Sequence, residues 1–109
     1  MKHSEENLTK IRLLSKLFKG FADYSRLLIF FSLLNGEKSV GELVEETGLS
    51  QSGISNHLKC LKECDLLTDR QENKYVYYSI KDNRAKQIIS LAEDMMKDIS
   101  EEKYQCMRY

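Results

Sequence analysis

Apolar residues recur every three or four positions through the first third of the chain. Between Glu5 and Gly20 this spacing predicts an amphipathic helix that ends at the glycine. The next segment, from Ser25 to Asn35, is almost wholly apolar and is followed by Gly36. It predicts a buried helix closed by a left-handed turn, and we expect this helix to form the centre of the core. The apolar positions of the first helix are Leu8, Ile11, Leu14, Leu17 and Phe18.

Two further helices are predicted on either side of Gly48. Ser39 is placed to cap the first of them, and Glu42 stands at the position that completes a capping box. Ser50 is placed to cap a longer second helix. Two helices joined by a tight glycine-containing turn predict a helix-turn-helix. The inner face of the second helix consists of Ile54, Leu58 and Leu61, at offsets of four and three.

After Asp65 the pattern changes from a helical period to a two-residue period. Residues 66–70 and 75–80 predict two strands, and residues 71–74 predict the turn between them. Asn73 is suited to that turn because asparagine tolerates left-handed backbone. The two strands therefore predict a β-hairpin wing that follows the helix-turn-helix.

Asp82 is placed to cap one last helix, whose apolar stripe lies beyond the compact core. No proline, repeat or low-complexity linker marks a domain boundary. The predicted fold is therefore mainly α with a β-hairpin wing, a single winged helix-turn-helix domain over residues 1–109. The stripe of the last helix consists of Ala85, Ile88, Ala92, Met95 and Ile99.

Composition limits the cellular compartments in which the protein is expected and the roles that its cysteines can have. The 109 residues carry a formal net charge of zero, so composition by itself does not indicate a nucleic-acid-binding protein. No apolar run is long enough to span a bilayer, and Met1–Lys10 is too polar for a signal peptide, which predicts a cytoplasmic protein. In a reducing cytosol three cysteines favour free thiols, metal ligands or redox sensors over a disulfide framework.

The outer face of the Ser50 helix carries side chains suited to a DNA groove. Short hydroxyl and amide groups can approach base edges and phosphates, and a lysine can neutralise a phosphate. Near the hairpin tip, Arg70 and Lys74 are placed to reach the DNA backbone or the minor groove. The alternative is an ordinary polar helix surface. The predicted groove-facing residues are Gln51, Ser52, Ser55, Asn56 and Lys59.

Three stretches resemble the ArsR/SmtB family of winged-helix, metal-responsive repressors. FADYSRLLIFFSLL is similar to the second-helix signature, LSQSGISNHLKCL to the recognition helix, and DLLTDRQENKYVYYSI to the wing. The chain departs from the family in having Tyr24 where proline is usual and Asn73 where the wing turn often has glycine. The resemblance implies a homodimer that binds a palindromic double-stranded DNA operator. It implies a dimer interface between first and last helices, with Leu8, Ile11, Ile88, Ala92, Met95 and Ile99 as contacts.

The cysteines suggest a site for a soft ion. Cys60 and Cys64 are four residues apart, one helical turn, so their side chains lie one above the other. Cys106 falls seven residues beyond Ile99, in a polar stretch where it has no obvious packing role. Three thiolates suit thiophilic ions and are poor ligands for magnesium or calcium. The alternatives are packing residues, or a redox sensor in which Cys106 forms a disulfide with a helix cysteine.

The family resemblance also narrows the kind of metal site. The Cys-x-Cys motif of arsenic sensors is missing, because residues 40–43 read VGEL, and no histidine follows His57 to build the zinc site of the last helix. What remains is similar to the CmtR-type cadmium and lead sensors, in which two recognition-helix cysteines join a tail cysteine of the other subunit. The resemblance implies cadmium or lead as inducer at Cys60, Cys64 and Cys106, with zinc or trivalent arsenic as further candidates.

The function expected from the sequence is a metal-responsive repressor that leaves its operator when the cysteines bind metal. The alternatives are a redox or reactive-sulfur-sensing repressor and a DNA-binding regulator without a metal site. An enzyme is not expected, because no base and cleft accompany the thiols.

Overall fold

The computed structural model of the protein describes residues 4–99. The helices and strands follow the predicted order, with a three-stranded antiparallel sheet in the order β1-β3-β2. A helix-turn-helix formed by α3 and α4 is followed by the β2–β3 hairpin, which is the winged-helix arrangement. The elements are α1 (Glu5–Phe21), α2 (Tyr24–Ser32) with a 3-10 turn (Leu33–Asn35), β1 (Lys38–Ser39), α3 (Val40–Thr47), α4 (Gln51–Glu63), β2 (Leu67–Glu72), β3 (Tyr75–Ile80) and α5 (Arg84–Lys97).

Side-chain caps fix where the central helices begin. The Ser39 hydroxyl accepts a hydrogen bond from the Glu42 amide, and the Glu42 carboxylate accepts one from the Ser39 amide, which confirms the predicted capping box. The Ser50 hydroxyl accepts from the Gly53 amide at 3.1 Å. Each such cap contributes about 1 kcal/mol to helix stability. Between the two helices Gly48 adopts the left-handed conformation, with φ of 74°, that lets the chain turn.

The core is built around α2, as the sequence predicted. Ile29 and Phe30 have no exposed surface, and the Phe30 ring packs edge-on against Phe21 with centroids 5.3 Å apart. The inner face of α4 meets them from the other side. Burying one such side chain contributes about 1.5–3 kcal/mol. The fully buried side chains are Ile29, Phe30, Leu33, Leu43, Ile54, Leu58, Leu61 and Leu67.

Two local predictions were wrong, and one short strand was missed. Asp82 does not cap the last helix: α5 begins at Arg84 after Asn83, and the Asp82 carboxylate instead binds the Arg84 amide and guanidinium. The first wing strand begins at Leu67 and runs to Glu72, because Asp65 adopts a left-handed φ of 63° that ends α4. The short strand β1, paired with Tyr77 and Tyr78, was not predicted, because two residues carry too little pattern.

The apolar stripe of α5 is divided between two environments. Ala85 and Ile89 are buried in the core, whereas Ala92 and Met95 lie exposed further along the helix. The sequence prediction missed Ile89. Among residues 4–99 no helix has the length and hydropathy to cross a bilayer.

Gly20 lies where α1 meets the end of α4. A Cβ atom at this position would lie 2.6 Å from Leu66 Cδ1 and 3.3 Å from Cys64 Cβ, both shorter than ordinary contacts. Leu66 is itself buried and has little room to move. The absence of a side chain at Gly20 therefore allows the close approach of α1 to Cys64 and Leu66.

We predict that Gly20→Ala lowers the free energy of unfolding by about 1–3 kcal/mol, because the new methyl group overpacks this contact. Gly41→Ala is the matched control: Gly41 is exposed in α3, and an added Cβ would meet only Ser39 Oγ at 4.0 Å. That variant should gain about 0.5–1 kcal/mol from reduced backbone entropy. Urea unfolding followed by circular dichroism measures both. Equal gains in stability would contradict the tight contact at Gly20.

Candidate DNA-binding surface and thiol site

The outer face of α4 displays the predicted DNA-binding residues together. All five are exposed, and the opposite face of the same helix is fully buried against α2 and α3. Burial of that apolar face fixes the rotation of α4 about its axis and leaves the polar face open. The exposed residues are Gln51, Ser52, Ser55, Asn56 and Lys59.

Two lysines on α4 differ in their surroundings. Lys62 Nζ lies 2.7 Å from Asp69 Oδ2 at the start of the wing, which raises the pKa of Lys62. Within residues 4–99, Lys59 forms no ion pair. Lys59 is therefore the α4 lysine whose charge is available to an anionic ligand.

The two wing cations predicted to contact DNA are also exposed, but Arg70 is fully engaged with carboxylates. Its Nε and Nη2 donate to the two carboxylate oxygens of Glu37 at 2.8 and 2.5 Å, and its Nη1 donates to Glu72 at 3.0 Å. Lys74 Nζ lies 5.5 Å from the centre of the Tyr75 ring. Sequence analysis missed Glu37, because it lies 33 residues from its partner and no local pattern connects them.

The two cysteines of α4 lie together at its C-terminal end. Cys60 is in the last turn and Cys64 follows as the C-cap, with its amide donating to the Cys60 carbonyl at 3.0 Å. Both thiols are partly buried. Burial raises the pKa of Cys64, and the adjacent Cys60 raises it further, while Lys16 and Arg26 oppose the shift. The structure thus confirms that the two sulfurs share one side of the helix.

Cys64 also packs close to the end of α1, which is predicted to form the dimer interface together with α5. Its sulfur lies 3.5 Å from the position that a Gly20 Cβ would occupy. The end of α1 is held by Arg26 of α2, whose Nε donates to the Gly20 carbonyl at 3.1 Å and whose Nη2 donates to the Lys19 carbonyl at 2.8 Å. No sequence pattern predicts this close approach, because a glycine near a helix end indicates only where the helix stops.

The described thiols form a pair rather than a complete metal site. Residues 4–99 contain no cluster of three cysteine, histidine or acidic side chains placed to hold an ion. The third predicted ligand, Cys106, lies outside the described residues. The chemistry of the pair fits a soft ion, since two thiols at one site favour thiophilic metals, provided that a further ligand comes from elsewhere.

Apolar surface is concentrated on α1 and α5. Of the six predicted dimer contacts, Leu8, Ile11, Ala92 and Met95 are exposed, and Met95 exposes 67% of its surface. Ile88 and Ile99 are partly buried, and Ile88 packs on the core of its own chain. These helices also expose apolar residues that were not among the predicted dimer contacts: Leu13, Leu14, Phe18, Leu91 and Met96.

Comparison with known proteins identifies the family. A family model described as "Bacterial regulatory protein, arsR family" matches residues 23–69. The transcriptional activator HlyU of Vibrio cholerae is 40% identical over 75 residues, which cover 69% of each chain. The chain belongs to the ArsR family. CmtR of Mycobacterium tuberculosis is 37% identical over 70 residues, covering 64% of this chain and 59% of that protein.

Solved structures of relatives agree with the ArsR assignment. NolR of Sinorhizobium fredii superimposes with a TM-score of 0.81 at 29% identity, covering 87% of this chain and 95% of that one. Reduced HlyU of Vibrio cholerae superimposes with a TM-score of 0.73 at 34% identity, covering 84% and 97%. The winged helix-turn-helix fold predicted from the sequence is confirmed. As an ArsR-family member the protein is a DNA-binding transcriptional regulator.

We predict that the Cys64 thiol of the folded protein loses its proton at higher pH than the same thiol in urea, because burial and Cys60 both raise its pKa. Alkylation by iodoacetamide across a pH series, with each cysteine followed by peptide mass spectrometry, measures the midpoint. Cys60→Ser should move the Cys64 midpoint part of the way back towards its value in urea. A midpoint in the folded protein at or below that in urea would contradict the prediction.

Proposed function

We propose that this ArsR-family protein is a homodimeric repressor that binds a double-stranded DNA operator through α4 and leaves it when a thiophilic metal ion binds its cysteines. Cadmium or lead is the proposed inducer, held by Cys60 and Cys64 of one subunit and Cys106 of the partner subunit. The observation that carries the proposal is the position of Cys64. It caps the helix that carries the proposed DNA-binding face, and it packs close to the end of α1.

DNA binding is assigned to the exposed face of α4. In a winged helix this helix enters the major groove with its N-terminal residues towards base edges. Asn56 is suited to reading a base edge, and the exposed serines approach phosphates closely. Lys59 supplies a charge with no ion-pair partner among the described residues.

Dimerisation is assigned to the apolar surface of α1 and α5. Both helices expose large apolar residues, and exposed apolar patches mark protein interfaces. A second copy of the chain buries this surface and sets the distance between two α4 helices. Two-fold symmetry then matches a palindromic operator.

The thiol pair supplies the response to metal. Binding requires deprotonated sulfurs, so Cys64, whose pKa is raised, must release a proton. Lys16 and Arg26 favour that release, because their positive charges stabilise a thiolate. A bound thiophilic ion would be held by three sulfurs, and the end of α4 in one subunit provides only two of them, those of Cys60 and Cys64.

The contact between Cys64 and Gly20 couples the thiols to the dimer. A Cβ atom at Gly20 would lie 3.5 Å from the Cys64 sulfur, so Cys64 packs close to the end of α1 and a displacement towards α1 would press on that helix. Since α1 forms part of the proposed interface, a change at the thiols alters the spacing of the two α4 helices. An allosteric coupling of about 1–3 kcal/mol corresponds to a loss of operator affinity of about fivefold to 150-fold.

We predict that Lys59→Gln weakens binding to any duplex and flattens the dependence of log K on log salt by about 0.9, the loss of one phosphate contact. Lys62→Gln is the matched control, because Lys62 is already paired with Asp69. Fluorescence anisotropy with a labelled duplex over a salt series measures both slopes. The assignment is wrong if Lys62→Gln flattens the slope as much as Lys59→Gln.

We predict that cadmium produces a sulfur-to-metal absorption band in the ultraviolet and releases an operator obtained by repeated selection from a random duplex pool. Cys60→Ser, Cys64→Ser and Cys106→Ser should each weaken the band and keep the DNA bound, because each removes one ligand. Magnesium is the control ion and should do neither. The cadmium affinity should fall with decreasing pH.

Two results would contradict the metal mechanism. Linkage requires operator to weaken cadmium binding by the factor by which cadmium weakens operator binding, so equal cadmium affinity with and without DNA excludes coupling. If the Cys106→Ser variant binds cadmium and releases the operator as the wild type does, Cys106 is not a ligand.

A second candidate function is a redox-sensing repressor. It is favoured by the partial exposure of both α4 thiols and by similarity to HlyU, of which a reduced form has been solved. In this reaction two thiols lose two protons and two electrons to a peroxide and form one disulfide that includes Cys106. Operator release by mild peroxide with a Cys106 crosslink in mass spectra, and no release by cadmium, would favour this function.

A further inference from the structure

Two acidic side chains lie close to the two cations of the wing, the part of a winged helix that can contact DNA beside the recognition helix. Arg70 and Lys74 are its cations, and Glu37 and Glu72 lie directly beside Arg70. Asp69, in the same strand, is paired with Lys62 of α4. The charges of Arg70, Lys74, Glu37 and Glu72 therefore sum to zero.

Glu37 binds Arg70 in the geometry that a phosphate would use. Its two carboxylate oxygens accept from Nε and Nη2, which is the bidentate fork by which arginine recognises both carboxylates and phosphates. Glu72 takes the third nitrogen. The Tyr77 ring, 5.0 Å from the guanidinium carbon, packs beside the same group. A phosphate thus meets an arginine whose planar edge is already covered by an anion.

The ion pair between Arg70 and Glu37 can open, so that Arg70 can bind a phosphate in place of Glu37. Arg70 and Glu37 expose 50% and 38% of their side chains, so water can solvate both groups when they separate. Exposed ion pairs contribute little net stability, and opening one costs correspondingly little. Like any exposed glutamate, Glu37 is ionised near neutral pH, and its hydrogen bonds with Arg70 lower its pKa further.

We propose that Glu37 is an intramolecular competitor of DNA phosphate: it holds Arg70 away from the duplex backbone and so sets the affinity of the wing for DNA. The inference depends on the proposed operator binding through the winged helix. It assigns to Glu37, which comes from the segment before β1 and not from the hairpin, a role in tuning that binding. The protein has zero net charge, so few cations are free to contact phosphates. Because phosphate contacts supply the affinity for DNA irrespective of its sequence, this non-specific affinity stays low.

The test uses the full chain and a fluorescein-labelled duplex of random sequence, with anisotropy measured over a salt series. Glu37→Gln keeps the size of the side chain and removes its charge. We expect binding several-fold tighter than wild type, and a salt slope steeper by about 0.9, because the released Arg70 neutralises one more phosphate. Glu45→Gln is the matched control for net charge, since Glu45 is exposed on α3 and forms no ion pair among the described residues.

The decisive comparison repeats Glu37→Gln in an Arg70→Gln background. If Glu37 acts by competing for Arg70, its substitution gains nothing once the arginine is gone. The inference is overturned if the gain persists without Arg70, if Glu45→Gln gives the same gain and slope, or if Glu37→Gln weakens binding. Duplex binding by wild type with no effect of Glu37→Gln overturns this inference alone. A failure of every variant to bind any duplex overturns the proposed function as well.

Discussion

The structure depends on the burial of one face of α4. Ile54, Leu58 and Leu61 have almost no exposed surface, and their packing against α2 and α3 fixes the rotation of the helix. With that rotation fixed, the polar residues from Gln51 to Lys59 face outward, and the two cysteines fall at the boundary between core and surface. A helix turned by one residue would bury polar groups without partners, which costs several kcal/mol. The hydrophobic core thus determines where the protein can meet DNA.

The same packing brings the end of α4, the start of the wing and the end of α1 close together. Cys64 ends the helix, and Asp65 turns the chain towards the wing with a left-handed backbone. At this point Gly20 allows α1 to approach, and Arg26 holds the carbonyls at the end of α1. A thiol at the boundary is accessible to ligands and also in contact with the framework. These two properties together are what a sensor residue needs, because modification of a wholly exposed side chain would leave the framework unchanged.

Local ion pairs, rather than net charge, decide the electrostatics of the surface proposed to contact DNA. The chain has equal numbers of acidic and basic residues, and the structure pairs several of them across segments. Lys62 is paired with Asp69 and Arg70 with Glu37, whereas Lys59 has no ion-pair partner within the described residues. The charge available to a duplex is therefore smaller than the count of basic residues near α4 and the wing suggests.

Local sequence determined the helices, the hairpin, the capping box at Ser39 and Glu42, and the alignment of Cys60 with Cys64, because periodicity and capping act within a few residues. Sequence also predicted the family and the polar face of α4. Only the tertiary structure decided that Arg70 is bound by Glu37, that Cys64 lies against Gly20, and that α5 turns Ile89 into the core while Met95 stays exposed. These contacts join residues that are distant in the chain. They depend on how whole helices and strands pack against each other, and a local sequence pattern does not predict that packing.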